Sequence, residues 1–210
     1  MALSEPKQMQ RAVEAFVLDV GDAMRDVVRR LPDIDGRKID QDVATEAFNL
    51  VTALIDIDRR HTDGELWGVI FSFWRLMPGE LGEAKADDLR RSDLLVGRAS
   101  WLTTVSPMLE ILTTADRRFG SAHARTYYDR ALHLAFTVAA LDASPSRPEL
   151  QAIDDLRNLM LAALSGLPSS PLAPRVPTAE PGVAAAAGAE AAAEPEAAEL
   201  PPVRPIEEML

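Results

Sequence analysis

Four carboxylates and a histidine crowd one short stretch of the chain, Asp56-Ile57-Asp58-Arg59-Arg60-His61-Thr62-Asp63-Gly64-Glu65. Clustered carboxylate oxygens are the donor set of hard cations such as calcium and magnesium. The spacing is not that of an EF-hand. A loop counted from Asp56 would need an oxygen ligand at Arg60, glycine at His61 and glutamate at Trp67. Counting from Asp33 puts glycine too early, at Gly36. His61, His123 and His133 have no i,i+4 partners among themselves, so a helical zinc site is not expected. No serine sits in Gly-x-Ser-x-Gly, and there is neither a glycine-rich phosphate loop nor a Gly-Lys-Ser/Thr motif. The chain is expected to carry no catalytic residues, to bind no nucleotide and to need no cofactor. An enzyme built on the paired carboxylates is the weakest reading, because no acid/base pair can be set at a defined separation.

The carboxylate-rich stretch occurs twice. Ala47-Phe48-Asn49-Leu50, running through Asp58 to Glu65-Leu66, aligns without gaps on Ala131-Leu132-His133-Leu134, running through Asp142 to Glu149-Leu150. The offset is 84 residues throughout. In each copy an apolar helix ends at an aspartate, and a short turn leads to a hydroxyl three residues before a glutamate. Thr62-x-x-Glu65 and Ser146-x-x-Glu149 have the form of capping boxes, in which hydroxyl and carboxylate each satisfy an orphan N–H at a helix start. Capping by Thr62, Glu65, Ser146 and Glu149 is the preferred reading. The competing one is a divalent-cation site formed by Asp58, Asp63, Glu65, Asp142 and Glu149 if the two turns meet.

The elements that would position these residues read as helices. Met9, Val13, Phe16, Val17, Val20, Met24, Val27 and Leu31 recur every three or four positions from a Ser4 cap. Asp40 is expected to cap a second helix running to Ile55, and Thr62 a third that Pro78 breaks. A polar connection over Glu80–Asp88 precedes a helix expected from Leu89 to Val105. Others follow at 107–117, from Ser121 to Leu141, and from Ser146 to a C-cap at Gly166. Trp67, Phe73, Trp74 and Trp101 fall at helical spacing and are expected in the core. Tyr127 and Tyr128 should face different sides of their helix, leaving one for a partner. No segment alternates with period two. The fold class is therefore all-α: a bundle of about seven helices built from two pseudo-repeated αα-hairpins. Nine of the fifteen prolines lie beyond residue 166, mixed with Ala and Glu. Residues 1–166 thus read as the helical domain, and 167–210 as a disordered Ala/Pro/Glu linker or tail.

Charge excludes several partners. The net charge is −11, with seven Glu against two Arg in 167–210 and a net −6 in the rest. Neither part has the basic surface that a phosphate backbone or an anionic bilayer requires, so no nucleic acid and no membrane partner is expected. No stretch approaches the length of a membrane span, and MALSEPKQMQ lacks the apolar run of a secretory signal. The absence of cysteine excludes disulfides and thiolate metal sites. The expected compartment is the cytoplasm, and nineteen Arg against three Lys points to a GC-rich, bacterial coding bias.

An apolar helix, a terminal Asp, a short polar turn and a Glu-Leu helix start, repeated within one chain, resembles the tellurite-resistance TerB-like helical domains. The resemblance covers about residues 40–165. That family usually has Asp-Gly in each turn, where this chain has Asp58-Arg59 and Asp142-Ala143. Its acidic residues imply the cation site named above. The closing residues Arg204-Pro205-Ile206-Glu207-Glu208-Met209-Leu210 resemble the segment leading into the ATPase module of AAA+ proteins of the CbxX/SpoVK type, the group of the type VII secretion ATPase. The two resemblances together imply a non-catalytic interaction or regulatory domain, the N-terminal region of an AAA+ ATPase. Such a domain would recognise a protein partner or substrate, with the ATPase module following this chain. A stand-alone metal- or ligand-sensing stress-response protein is the alternative.

Overall fold

The structure is a computed structural model and describes residues 4–31, 36–141 and 145–166. The remaining residues, including Asp33, Asp142 and the 167–210 segment, lie outside the described part. The described residues are helical, with no strand among them. Six longer helices carry the fold: α1 (Ser4–Arg30), α2 (Ile39–Ile55), α3 (Asp63–Phe73), α6 (Pro107–Phe119), α7 (His123–Ala139) and α8 (Arg147–Ser165). Two short ones, α4 (Pro78–Leu81) and α5 (Ala86–Arg91), and 3-10 turns at Gly36–Lys38 and Arg98–Leu102 complete it. No helix among the described residues is long and apolar enough to cross a membrane.

The stripe read on α1 is the buried one. Met9, Val13, Phe16, Val20, Met24 and Val27 all lie in the core. α1 packs most extensively on α7 and α3, then on α2, so one long helix braces both hairpins. Gly68 of α3 lies hard against α1: a Cβ there would stand 2.8 Å from the Met9 sulfur and 3.3 Å from Leu141. Across the core, Phe16 meets Tyr127 edge-on at 5.6 Å, and Phe48 meets Phe73 at 5.3 Å.

The duplication is structural as well as sequential. Shifting α2, Ile39–Ile55, by 84 residues gives the bounds of α7, His123–Ala139. The same shift carries the start of α3 at Asp63 onto that of α8 at Arg147. α2 with α3 and α7 with α8 are the two expected hairpins.

Three local expectations are corrected. The helix expected over Leu89–Val105 is instead α5, a set of turns and the 3-10 segment. Ser92 ends α5 by donating its hydroxyl to the Leu89 carbonyl (2.8 Å). Gly97 then takes a left-handed backbone, φ 76°. The Asp56 carboxylate draws that loop inward by accepting the Gly97 and Arg98 N–H groups at 2.9 and 3.2 Å. Ser121 does not cap α7. Asp116 of α6 accepts the Ser121 hydroxyl and the N–H groups of His123 and Ala124 at 2.6, 2.9 and 2.8 Å, which satisfies the helix start from a neighbouring element. Asp40 does not cap α2, which follows directly on a 3-10 turn with no side-chain cap, and Asp40 pairs with Arg25 instead.

Candidate functional site

Both duplicated turns close as capping boxes. Thr62 N–H donates to a Glu65 oxygen at 2.7 Å and Glu65 N–H returns to the Thr62 hydroxyl at 3.3 Å. Ser146 and Glu149 repeat this at 2.6 and 3.3 Å. The two glutamates are 1% and 3% exposed, so each carboxylate is sunk into the helix start it serves. Asp58 accepts the Arg60 N–H at 2.8 Å, an Asx turn that carries the chain through Arg59 at φ 58°. Arg59 is the described non-glycine residue in the left-handed region. It follows Asp58, at the position where the resemblance stated above implies glycine.

The proposed cation ligands therefore have other engagements. Glu65 and Glu149 close their boxes, Asp58 holds its own turn, and Asp63 pairs with Arg90 of α5. Asp142 lies outside the described residues. Among the described residues no three His, Asp or Glu side chains gather in a way that could hold a metal ion.

Two polar arrangements in the interior were not read from the sequence. The Tyr127 hydroxyl donates to Glu46 at 2.5 Å, linking α7 to α2 inside the core. Burial, then the adjacent Glu46 charge, pushes the Tyr127 phenol well above its ordinary pKa. Tyr128 is buried too, so neither tyrosine is offered to a partner: α7 is packed by α1, α2, α6 and α8. The second arrangement is Asn49, Arg98 and Asp56. Arg98 donates to the Asn49 side chain at 3.0 Å while its backbone N–H binds Asp56, and His61 lies 3.8 Å from Asp56. Both join residues more than 40 positions apart, beyond the reach of a local pattern.

Between α1 and α7 an open cleft of about 610 Å³ is lined by Asp19, Asp22, His123, Thr126, Asp129 and Arg130. His123 bonds Asp26 at 2.9 Å, and that bond, with Arg30 and Arg29 nearby, holds the Asp26 carboxyl below its ordinary range. A His–Asp pair is the base and orienting half of a nucleophilic site. No serine or threonine hydroxyl among the described residues bonds to His123. Asp19, Asp22 and Asp129 are taken up by Arg130, Arg25 and Arg125. Asp19–Arg130 and Asp26–His123 join α1 to α7 across the cleft, whereas Asp22–Arg25 and Asp129–Arg125 each lie within one helix.

The unexplained surface lies on α3. From Glu65 to Phe73 this helix is buried at every position except Trp67 and Phe71, and Trp74 follows at its C-cap. Those three are 40%, 45% and 41% exposed. They fall at i, i+4 and i+7, on one face. The Trp67 and Phe71 rings lie 5.6 Å apart, and the Arg75 guanidinium sits 4.8 Å over the Trp74 ring. The expectation that Trp67 and Trp74 belong to the core is thus corrected, whereas Phe73 is buried and Trp101 packs partly against the core. Helical spacing alone could not separate the two faces, because α3 is apolar on both.

The second copy shows what this face would look like without a special role. Under the 84-residue shift, Trp67, Phe71 and Trp74 correspond to Gln151, Asp155 and Asn158 of α8. There Gln151 donates to Asp155 at 2.9 Å and Asn158 is exposed. The same fold position is served by polar residues in one copy and by aromatics in the other.

No family model, curated protein or solved structure matches this chain. The functional reading therefore rests on its own residues.

Proposed function

We infer that this chain is a protein-recognition domain with no catalytic chemistry of its own, working as the N-terminal region of an AAA+ ATPase of the TerB-bearing kind. The observation that carries the recognition reading is the aromatic face of α3. A helix that is apolar all round is ordinarily covered on all sides, and exposed Trp and Phe grouped with an arginine form the composition enriched at protein interfaces. The polar equivalents on α8 indicate that the hairpin fold itself does not call for these aromatics. The two capped hairpins, and Arg59 in a glycine-like turn, support the TerB-like part of the reading. The likeness of Arg204–Leu210 to the lead-in of an ATPase module supports the rest.

Photo-crosslinking in the host cell tests it. A photoreactive phenylalanine analogue is placed at Phe71 and, as control, at Asp155. Specific protein adducts are expected from Phe71 only, and they should disappear when Trp67→Gln and Trp74→Asn are added. Equal adduct yields from both positions would remove the α3 face from the reading.

A further inference from the structure

We propose that α3 is a two-fold self-association surface: α3 of one copy lies antiparallel against α3 of a second copy, with Phe71 near the axis. This rests on the recognition reading and names the occupant of its surface.

The stripe reads nearly the same in both directions, Trp67-Phe71-Trp74, with gaps of four and three residues. A two-fold interface requires one patch to complement itself. At 1.5 Å of rise per residue, Trp67 and Trp74 are about 10.5 Å apart along the axis. Reversing the helix places Trp67 of one copy over Trp74 of the other, and brings the two Phe71 rings within about 1.5 Å of register. The ends complement each other as well. Among the described side chains, Arg75 has the Trp74 ring as its partner and no carboxylate bonded to it. Asp63, at the opposite end of α3, is exposed and holds Arg90. In the antiparallel arrangement Arg75 comes within about 4.5 Å, along the axis, of the second copy's Asp63, which an arginine side chain spans. The antiparallel helix dipoles also oppose one another favourably. A parallel arrangement would instead stack arginine on arginine.

Area sets the strength of the contact. Trp and Phe side chains present about 150–250 Å² each, so roughly 40% exposure of three leaves about 250 Å² per copy. A stable dimer needs about 800 Å² per partner. The contact is therefore the centre of a weak, concentration-dependent dimer.

Sedimentation velocity on the full chain, from micromolar to near-millimolar concentration, tests this. The mass is expected to rise from 22.9 kDa toward twice that value. The triple variant Trp67→Gln, Phe71→Asp, Trp74→Asn carries the residues that α8 already accommodates at these positions, so it is expected to keep its helical circular dichroism and stay monomeric throughout. Arg75→Glu and Asp63→Arg should each weaken the dimer, and the double variant should restore it. Because the chain has no cysteine, Phe71→Cys supplies a lone thiol near the axis, and a disulfide dimer is expected from it and not from Asp155→Cys. A monomer at every concentration, equal disulfide yield from the two positions, or a double variant no better than the single ones would overturn the proposal. A monomer here, combined with Phe71 photo-adducts to a different protein, removes self-association and leaves recognition standing. Absence of both removes both.

Discussion

At Arg59 the chain accepts a left-handed backbone, φ 58°, which costs an L-residue with a Cβ roughly 1–2 kcal/mol. The Asx turn at Asp58 offsets part of that cost. Arg59→Gly relieves the strain but adds chain entropy to the unfolded state, so the expected net gain is up to about 1 kcal/mol. Denaturant unfolding measures it, and a loss of stability would show that the arginine side chain is needed in the turn. The buried glutamates give a second prediction. Glu65→Gln should be mild, a few tenths of a kcal/mol, since an amide oxygen still accepts the Thr62 N–H. Glu65→Ala leaves that N–H without its acceptor and should cost about 1–2 kcal/mol. Glu149→Ala should match it, and a large difference between the two would mean that one glutamate has another task. These boxes were legible in the sequence because hydroxyl and carboxylate are three residues apart. The Asp56 contacts to Gly97 and Arg98 were not, because nothing near residue 56 announces a partner 41 positions on.

Helices were legible where one face was apolar and the other polar, as on α1, and where the offset of 84 residues supplied each hairpin with a second copy. They were misread where neighbours decide the outcome. The Leu89–Val105 stretch has enough apolar residues for a helix, yet Ser92 and Gly97 break it and Asp56 holds the break. Trp67 and Trp74 share the apolar character of α3, and only the packing of α1 through Gly68 tells which face is covered. Filling that contact should be costly: Gly68→Leu would push apart α1 and α3 and is expected to destabilise by about 1–3 kcal/mol or more, read as a lowered Tm. The α1–α7 seam makes a prediction about pH. Asp26 is held below its ordinary pKa chiefly by the His123 hydrogen bond, so the stability this confers is complete above the unfolded carboxylate value. It is lost as pH falls through the lower, folded value. The stability gap between the wild type and His123→Ala should accordingly close on acidification, and a gap independent of pH would count against the pairing.

For the whole molecule, the divalent-cation alternative has a direct measurement. If a cation binds the folded state, millimolar calcium or magnesium raises the Tm by mass action. Glu65→Gln should then abolish the rise while leaving the metal-free Tm nearly unchanged. The capping role by itself produces no cation-dependent rise. The long first helix has a different consequence, which concerns synthesis. Arg130 of α7 pairs with Asp19 of α1 across 111 residues of sequence. At about 5–20 residues per second, the ribosome leaves the α7 side of α1 unpartnered for roughly 5–20 s, while α2 and α3 cover its other side. During that interval the nascent chain shows Phe16 and its apolar neighbours to solvent, where a chaperone that reads apolar helices could hold it. Codon changes that slow translation between α3 and α7 should therefore lower the yield of folded protein more than equal delays placed after α8.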